Sequence, residues 1–138
     1  MDMNLEWIKD PKVYRINRLD AKASISYFKD EMELNSNNSQ YVTSLNGYWK
    51  FHYSEGLNSL INGFEKTDFN CDNWDDIKVP GHMQMQGYGV PMYVNQIYPW
   101  SGTEAIRPGE IPENNPVGHY VTYFDKTELM KNNKVIIN

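Results

Sequence analysis

At 138 residues the chain is about one small domain, enough for a single core with a large surface for its volume. Its 40% hydrophobic and 22% charged residues are close to those of ordinary soluble proteins. A net charge of −5, a pI near 5.1 and no run of five basic residues argue against nucleic acid as a partner.

The longest apolar runs are a few residues, too short to span a bilayer. The N-terminus, Met1-Asp2-Met3-Asn4-Leu5-Glu6, lacks the basic and apolar regions of a secretory signal. A lone Cys71 excludes an intrachain disulfide and any multi-cysteine metal site. Together these read as a cytoplasmic protein. Mean hydropathy is −0.70, polar for a chain so rich in large side chains. Four Trp, ten Tyr and five Phe explain it, because Tyr and Trp score as nearly polar. Aromatic enrichment favours strands. It also suits sugars, whose apolar C–H faces lie on rings, although most rings in any protein serve the core.

In chain order, residues 1–40 read as an arm, with Trp7, Val13, Ile16 and Leu19 as scattered anchors and Pro11 as a breaker. Residues 28–33 suit a short helical turn. Polar residues 35–39 suit a mobile loop. The clearest strand is 48–53, where Trp49, Phe51 and Tyr53 alternate with Tyr48, Lys50 and His52. Asn46-Gly47 before it is a turn signal. Residues 59–69 fit a short helix or a loop. Residues 77–79 form a short strand stopped by Pro80-Gly81.

Residues 80–118 are loop-rich, with six glycines and six prolines. Long irregular stretches in compact domains are usually functional or disordered. Tyr88, Tyr93, Tyr98 and Trp100 argue against disorder here. Residues 119–124 read as a second strand with Tyr120, Thr122 and Phe124 on one face. Asn132-Asn133 is a turn, and 134–137 begin a further strand. A strand opening so close to Asn138 suggests truncation and leaves Val135-Ile136-Ile137 as an apolar edge.

The residues alone pick out no catalytic set. Glycoside hydrolysis needs two carboxylates flanking the bond, but the 18 acidic residues lie in polar company, as solvated charges do. His52, His82 and His119 lack metal-ligand spacing. Gly87-Tyr88-Gly89 is not followed by a helical pattern, so it is no phosphate loop. On this basis the chain is an all-β, aromatic-rich binding or interaction domain.

Five stretches in order sharpen that reading. Trp7, Asp10-Pro11, Val13 and Asn17-Arg18-Leu19 form the first. Ser44-Leu45-Asn46-Gly47-Tyr48-Trp49-Lys50-Phe51 is the second. The third runs from Val79-Pro80-Gly81-His82 to Gly87-Tyr88-Gly89. Pro91-Met92-Tyr93-Val94-Asn95-Gln96-Ile97-Tyr98-Pro99 and Glu113-Asn114-Asn115-Pro116-Val117-Gly118-His119-Tyr120 complete the set. In this order they resemble the opening of bacterial β-galactosidases of glycoside hydrolase family 2, over nearly the whole chain.

The resemblance implies a jelly-roll β-sandwich of the galactose-binding-like kind, truncated here, with an extended N-terminal arm. Residues 1–40 would be the arm and 41–138 the incomplete sugar-binding domain. It implies the N-terminal piece of an enzyme that hydrolyses terminal β-galactosides such as lactose with retention. Both catalytic glutamates belong to a TIM barrel further along such chains, so this chain would carry no catalytic residue and be inactive alone.

Its partners would be the substrate, the enzyme's remaining domains and, at full length, further copies of itself. Asn95 matches an Asn that contacts galactose hydroxyls, a role an amide can fill by donating and accepting. On residues alone Asn95 reads as a turn former. The family also implies Mg²⁺ and Na⁺. Asp10 matches a side-chain Mg²⁺ ligand, where the usual pattern has Asn, and Val13 a backbone-carbonyl ligand. Glu6 corresponds to another only with one residue of extra spacing. No tight metal binding by this chain alone is expected. The alternatives are a stand-alone carbohydrate-binding or interaction module, or a family member such as a β-glucuronidase or β-mannosidase; the 93–99 loop resembles the galactosidases more closely.

Overall fold

The alternation of apolar and polar side chains around Phe51 produces the central strand that its period predicts. A computed structural model describes residues 5–23, 25–91, 95 and 97–137. Strand β1 spans Gly47–Ser54, β2 Asp75–Val79 and β3 Val117–Val121. They form one antiparallel sheet in the order β2-β1-β3. Trp49 lies opposite Ile77, Phe51 opposite Tyr120, and His52 opposite His119.

The described residues fall into two compact units. The first takes those among 1–17 and 46–122 and holds the sheet; the second takes those among 18–45 and 123–137. No helix among the described residues is long and apolar enough to cross a membrane.

Alternate residues of a strand face opposite ways, so β1 serves two faces. On one, Phe51 is completely buried. The rings of Tyr88 and Tyr120 meet it edge-on, at centroid distances of 4.5 and 4.8 Å. Ile77 is buried on the same face beside Trp49. Gly118 makes this approach possible. A Cβ there would lie 2.7 Å from the Phe51 ring, 3.0 Å from that of Tyr120 and 3.1 Å from Met83 Sδ.

On the opposite face, Phe64 and Trp74 pack around His119, at 5.0 and 6.1 Å between centroids, and Phe69 meets Trp74 at 5.5 Å. Phe64, Phe69 and Trp74 come from the stretch 57–74, whose residues 59–69 suit either a helix or a loop by sequence. It holds one 3₁₀ turn, Leu57–Ser59, followed by hydrogen-bonded turns. The buried Ser54 hydroxyl donates to Ser59 O at 2.7 Å and ties this cover to β1.

Three short helices accompany the sheet. Helix α1 is Glu6–Lys9, α2 Glu31–Ser36 and α3 Glu128–Asn132. Only a helical turn near 28–33 is foreseen by the sequence. Helix α2 starts later because Asp30 caps it, accepting from the Glu33 N–H at 3.0 Å. It then runs into residues expected as a mobile loop. Asn37 closes it in the left-handed conformation, a role Asn tolerates. Ser39 is nearly buried, donating to Tyr27 O while accepting from the Tyr41 N–H. Residues 35–39 are thus a bonded helix end rather than a mobile loop.

Two further expectations change. Strand β3 begins at Val117 and ends at Val121, not at 119 and 124. Val121 is its last residue paired to β1, and from Tyr123 the chain belongs to the second unit. The expected strand at 134–137 does not form. Thr127 caps α3 through the Met130 N–H, the helix runs to Asn132, and 134–137 take no regular structure. A strand exists only against a partner's backbone, and no described strand lies beside these residues.

His119 is a buried pin in this fold. Its Nε2 accepts the Ile61 N–H at 3.3 Å, so Nδ1 carries the proton and donates to His52 O at 3.3 Å. Burial pushes its pKa below the usual 6.5; the bond to the His52 carbonyl opposes this, and the His52 charge adds to it. Below about pH 6.5 the unfolded chain takes up the proton and the folded chain resists it, so stability rises with pH across that range. Urea midpoints of the wild-type chain should therefore fall between pH 7.5 and 5. The His119→Gln variant, less stable at pH 7.5, should lose that component of the slope. Equal slopes for the two proteins would rule out a His119 contribution.

Candidate functional site

The irregular segment after β2 is anchored before it becomes exposed. Met83–Gln86 forms a 3₁₀ turn, and Gln86 faces the open edge of β2. Its amide accepts the Lys78 N–H at 2.9 Å and donates to Lys78 O at 3.0 Å. One side chain thereby does at that residue what a fourth strand's backbone would do. Gly87 closes the turn with φ of +97°, a conformation that suits glycine. Tyr88 then inserts its ring against Phe51 and donates its hydroxyl to Asp75 at 2.9 Å. Burial, and secondly the carboxylate of Asp75, hold the Tyr88 hydroxyl above its usual pKa.

Beyond Tyr88 the chain emerges. Asn95 lies in a bend with an exposed side chain. Met92, Tyr93, Val94 and Gln96, which complete the loop singled out in the sequence, lie outside the described residues. A turn follows in which Ser101 N–H donates to Tyr98 O, and Trp100 O accepts from the N–H groups of Thr103 and Glu104, each at 3.0 Å. The rings of Tyr98 and Trp100 stack with centroids 5.2 Å apart and planes 6° from parallel.

Glu104 ties the far side of this segment. Its two carboxylate oxygens accept the N–H groups of Glu113 and Asn114 at 2.7 and 2.8 Å. Glu113 O in turn lies where a Cβ on Gly56 would come within 2.9 Å. Lys9, Glu104, Ile106, Glu110, Ile111 and Glu113 are among the residues lining a cleft of about 580 Å³ here. Asn95 is not among them, so the cleft and the sugar-contact candidate are separate features.

Asp10 and Val13 share one turn near the N-terminus. The Asp10 carboxylate accepts the Lys12 N–H at 2.9 Å, and Val13 N–H donates to Asp10 O at 3.0 Å. Glu6 pairs with Lys9 at 2.8 Å. No group of three His, Cys, Asp or Glu among the described residues is arranged to hold a metal. His52 and His119, distant in sequence, face each other across β1 and β3 with ring centroids 5.7 Å apart. Both His119 ring nitrogens are engaged with backbone, so the pair is structural.

Residues 42–137 match the family described as glycosyl hydrolases family 2, sugar binding domain. The chain belongs to that family. Beyond the matched domain, similarity extends over nearly the whole chain. The family 2 chain is 45% identical to a β-galactosidase of Halalkalibacterium halodurans, over 98% of this chain and 14% of that protein. It is 39% identical to a β-galactosidase of Streptococcus thermophilus, over 96% of this chain and 13% of that protein. With a β-galactosidase large subunit of Leuconostoc lactis the identity is 33%, over 99% of this chain and 24% of that protein. The chain thus spans between about an eighth and a quarter of the length of these relatives.

The family 2 site holds two features the sequence did not single out. Gln86 as an edge cap and Glu104 as a loop clasp leave no signal of their own, since each bonds backbone eight to ten residues away, a spacing with no helical or strand period. The Glu104 clasp is testable. Hydrogen bonds to a charged group contribute about 1.5–3 kcal/mol. Glu104→Ala should raise amide exchange at Glu113 and Asn114 by roughly ten-fold or more, about 1.4 kcal/mol per ten-fold. The β1 amides should keep their protection. Unchanged exchange at both loop positions would show that the clasp does not hold the segment.

Proposed function

We propose that this chain is the N-terminal sugar-binding part of a β-galactosidase, acting in a longer enzyme that hydrolyses terminal β-galactosides such as lactose with retention of configuration. The observation that carries this reading is near-complete coverage of the chain by proteins named β-galactosidase, at 31–45% identity. The three-stranded sheet would be part of a jelly-roll sandwich, with residues 1–40 as an arm and 41–138 as the sugar-binding domain. The family match, which begins at residue 42, supports that division. A stand-alone carbohydrate-binding module is the second reading, favoured by the sugar-binding description of the matched domain itself.

Asn95 is the proposed contact to the galactosyl hydroxyls. Its side chain is exposed, and the segment that carries it is anchored by Tyr88 on one side and by the 98–104 turn on the other. An amide held this way can donate to one hydroxyl and accept from another. Mg²⁺ and Na⁺ belong to the same reading. Asp10 and the Val13 carbonyl would supply two hard oxygen donors to Mg²⁺. That ion takes about six, so most ligands would come from elsewhere.

Retaining hydrolysis needs two carboxylates about 5–5.5 Å apart around the glycosidic bond. Purified alone, the chain should give no turnover of a chromogenic β-galactoside above a mock purification. Turnover that co-purifies with the chain would overturn its assignment as the non-catalytic part. In the complete enzyme, Asn95→Ala should lower kcat/KM by roughly ten-fold or more, about 1.4 kcal/mol per ten-fold, with Tm nearly unchanged. A lowered Tm with intact kinetics would make Asn95 a turn former instead.

A further inference from the structure

We propose that Asn62-Gly63 is a site of spontaneous deamidation, and that its isoaspartate product loosens the hold of this turn on His119. The chain contains two Asn-Gly pairs, Asn46-Gly47 and Asn62-Gly63. Asn is among the thermolabile side chains, and a following glycine speeds loss of its amide because no Cβ shields the next main-chain nitrogen. The reaction begins when Gly63 N, having given its proton to water or hydroxide, attacks Cγ of Asn62. The N–Cγ bond forms, the bond from Cγ to the amide nitrogen breaks, and that nitrogen leaves with a proton as ammonia. Water then opens the cyclic imide. Opening at Cγ gives aspartate; opening at the main-chain carbonyl gives isoaspartate, whose main chain runs through the side-chain carbon. Nothing is oxidised or reduced, and water is the co-reactant.

The fold separates the two pairs. Gly47 opens β1 opposite Val79. The Lys78 N–H and C=O point outward to Gln86, so those of Val79 point inward to Gly47. The nitrogen that would attack Asn46 therefore belongs to the sheet ladder. Asn62 instead lies exposed in a turn, and Gly63 takes φ of +79°. Among the described residues no hydrogen bond engages the Asn62 amide or the Gly63 N–H. The Lys66 ammonium comes within 3.8 Å of the point a Gly63 Cβ would occupy. A positive charge thus attends the nitrogen as it loses its proton.

The position of the pair gives its chemistry a consequence. Asn62 stands between two contacts that hold His119. Ile61 N–H donates to Nε2 at 3.3 Å, and the Phe64 ring meets the imidazole at 5.0 Å between centroids. Their spacing depends on the main chain between them. Isoaspartate at position 62 inserts a methylene into that chain, while β3 keeps His119 where it is. The Ile61 N–H and the Phe64 ring then cannot both keep their places. Ordinary aspartate at the same position adds the same charge to an exposed side chain and leaves the main chain unchanged.

The test incubates the 138-residue chain folded and, in parallel, unfolded in guanidinium chloride. Peptide mass spectrometry with isoaspartyl methyltransferase labelling follows each Asn-Gly pair. In denaturant the two pairs should deamidate at similar rates. In the folded chain Asn62 should react at least roughly ten-fold faster than Asn46, the protection a ladder position confers. The form with isoaspartate at position 62, separated by chromatography, should have a lower urea midpoint than wild type. Its Ile61 amide should exchange roughly ten-fold faster. Asn62→Asp should stay close to wild type, and Asn62→Gln should hold its midpoint throughout the incubation. Equal rates at the two pairs in the folded chain, or no isoaspartate at position 62, overturns the site. An isoaspartate form as stable as wild type overturns the effect on His119. So does an Asn62→Asp variant destabilised as much as the isoaspartate form, or an Asn62→Gln variant that ages as wild type does.

Discussion

Burial of Phe51 is the constraint on which the sheet unit depends. The ring sits at the middle of the central strand and has no exposed surface. Burying such a side chain contributes about 1.5–3 kcal/mol, and close edge-on contacts with other rings add to that. The two rings that meet it come from different places: Tyr120 from the neighbouring strand, Tyr88 from the irregular segment after β2. One side chain thus joins sheet pairing to loop placement. Gly118 is the concession that permits it, since any Cβ there would press on both the Phe51 and Tyr120 rings.

Because Tyr88 is fixed by that core, the exposed residues 89–91 start from a rigid point. Gln86 strengthens the same point by completing the hydrogen bonds of Lys78. Further along, the 98–104 turn and the Glu104 clasp hold the segment again. Asn95 therefore lies between two anchored stretches rather than on a free tail. Loops that carry binding groups work this way: a scaffold positions them, and their own side chains stay open to ligand.

What could be read beforehand follows from what each feature depends on. Strand β1 was legible because its alternation is local and Phe51, Trp49 and Tyr53 all need one face. The end of β2 was legible because Pro80 has no N–H to give. The extent of β3 was not, since it is set by where β1 residues remain to be paired, and that is a property of two segments together. Helix α3 escaped for a related reason. Val135, Ile136 and Ile137 have strand character, but strand character forms nothing without a partner's backbone, whereas the Thr127 cap acts within its own helix. For His119 the sequence shows only strand placement and the absence of metal-ligand spacing. Its partners, Ile61 N–H and His52 O, lie 58 and 67 residues away and are main-chain groups, which no motif reveals. The family was legible from ordered motifs, not from physics: an exposed Asn95 between prolines is, on its residues alone, a turn former.

The two faces of β1 set different tolerances. On the Phe51 face the contacts are rings and methyls, where a change of one carbon alters packing but leaves no polar group stranded. On the His119 face a neutral imidazole mediates between two backbone groups, and its replacement strands both. Burying an unpaired amide costs about 1–3 kcal/mol, so this face is chemically specific where the other is sterically specific.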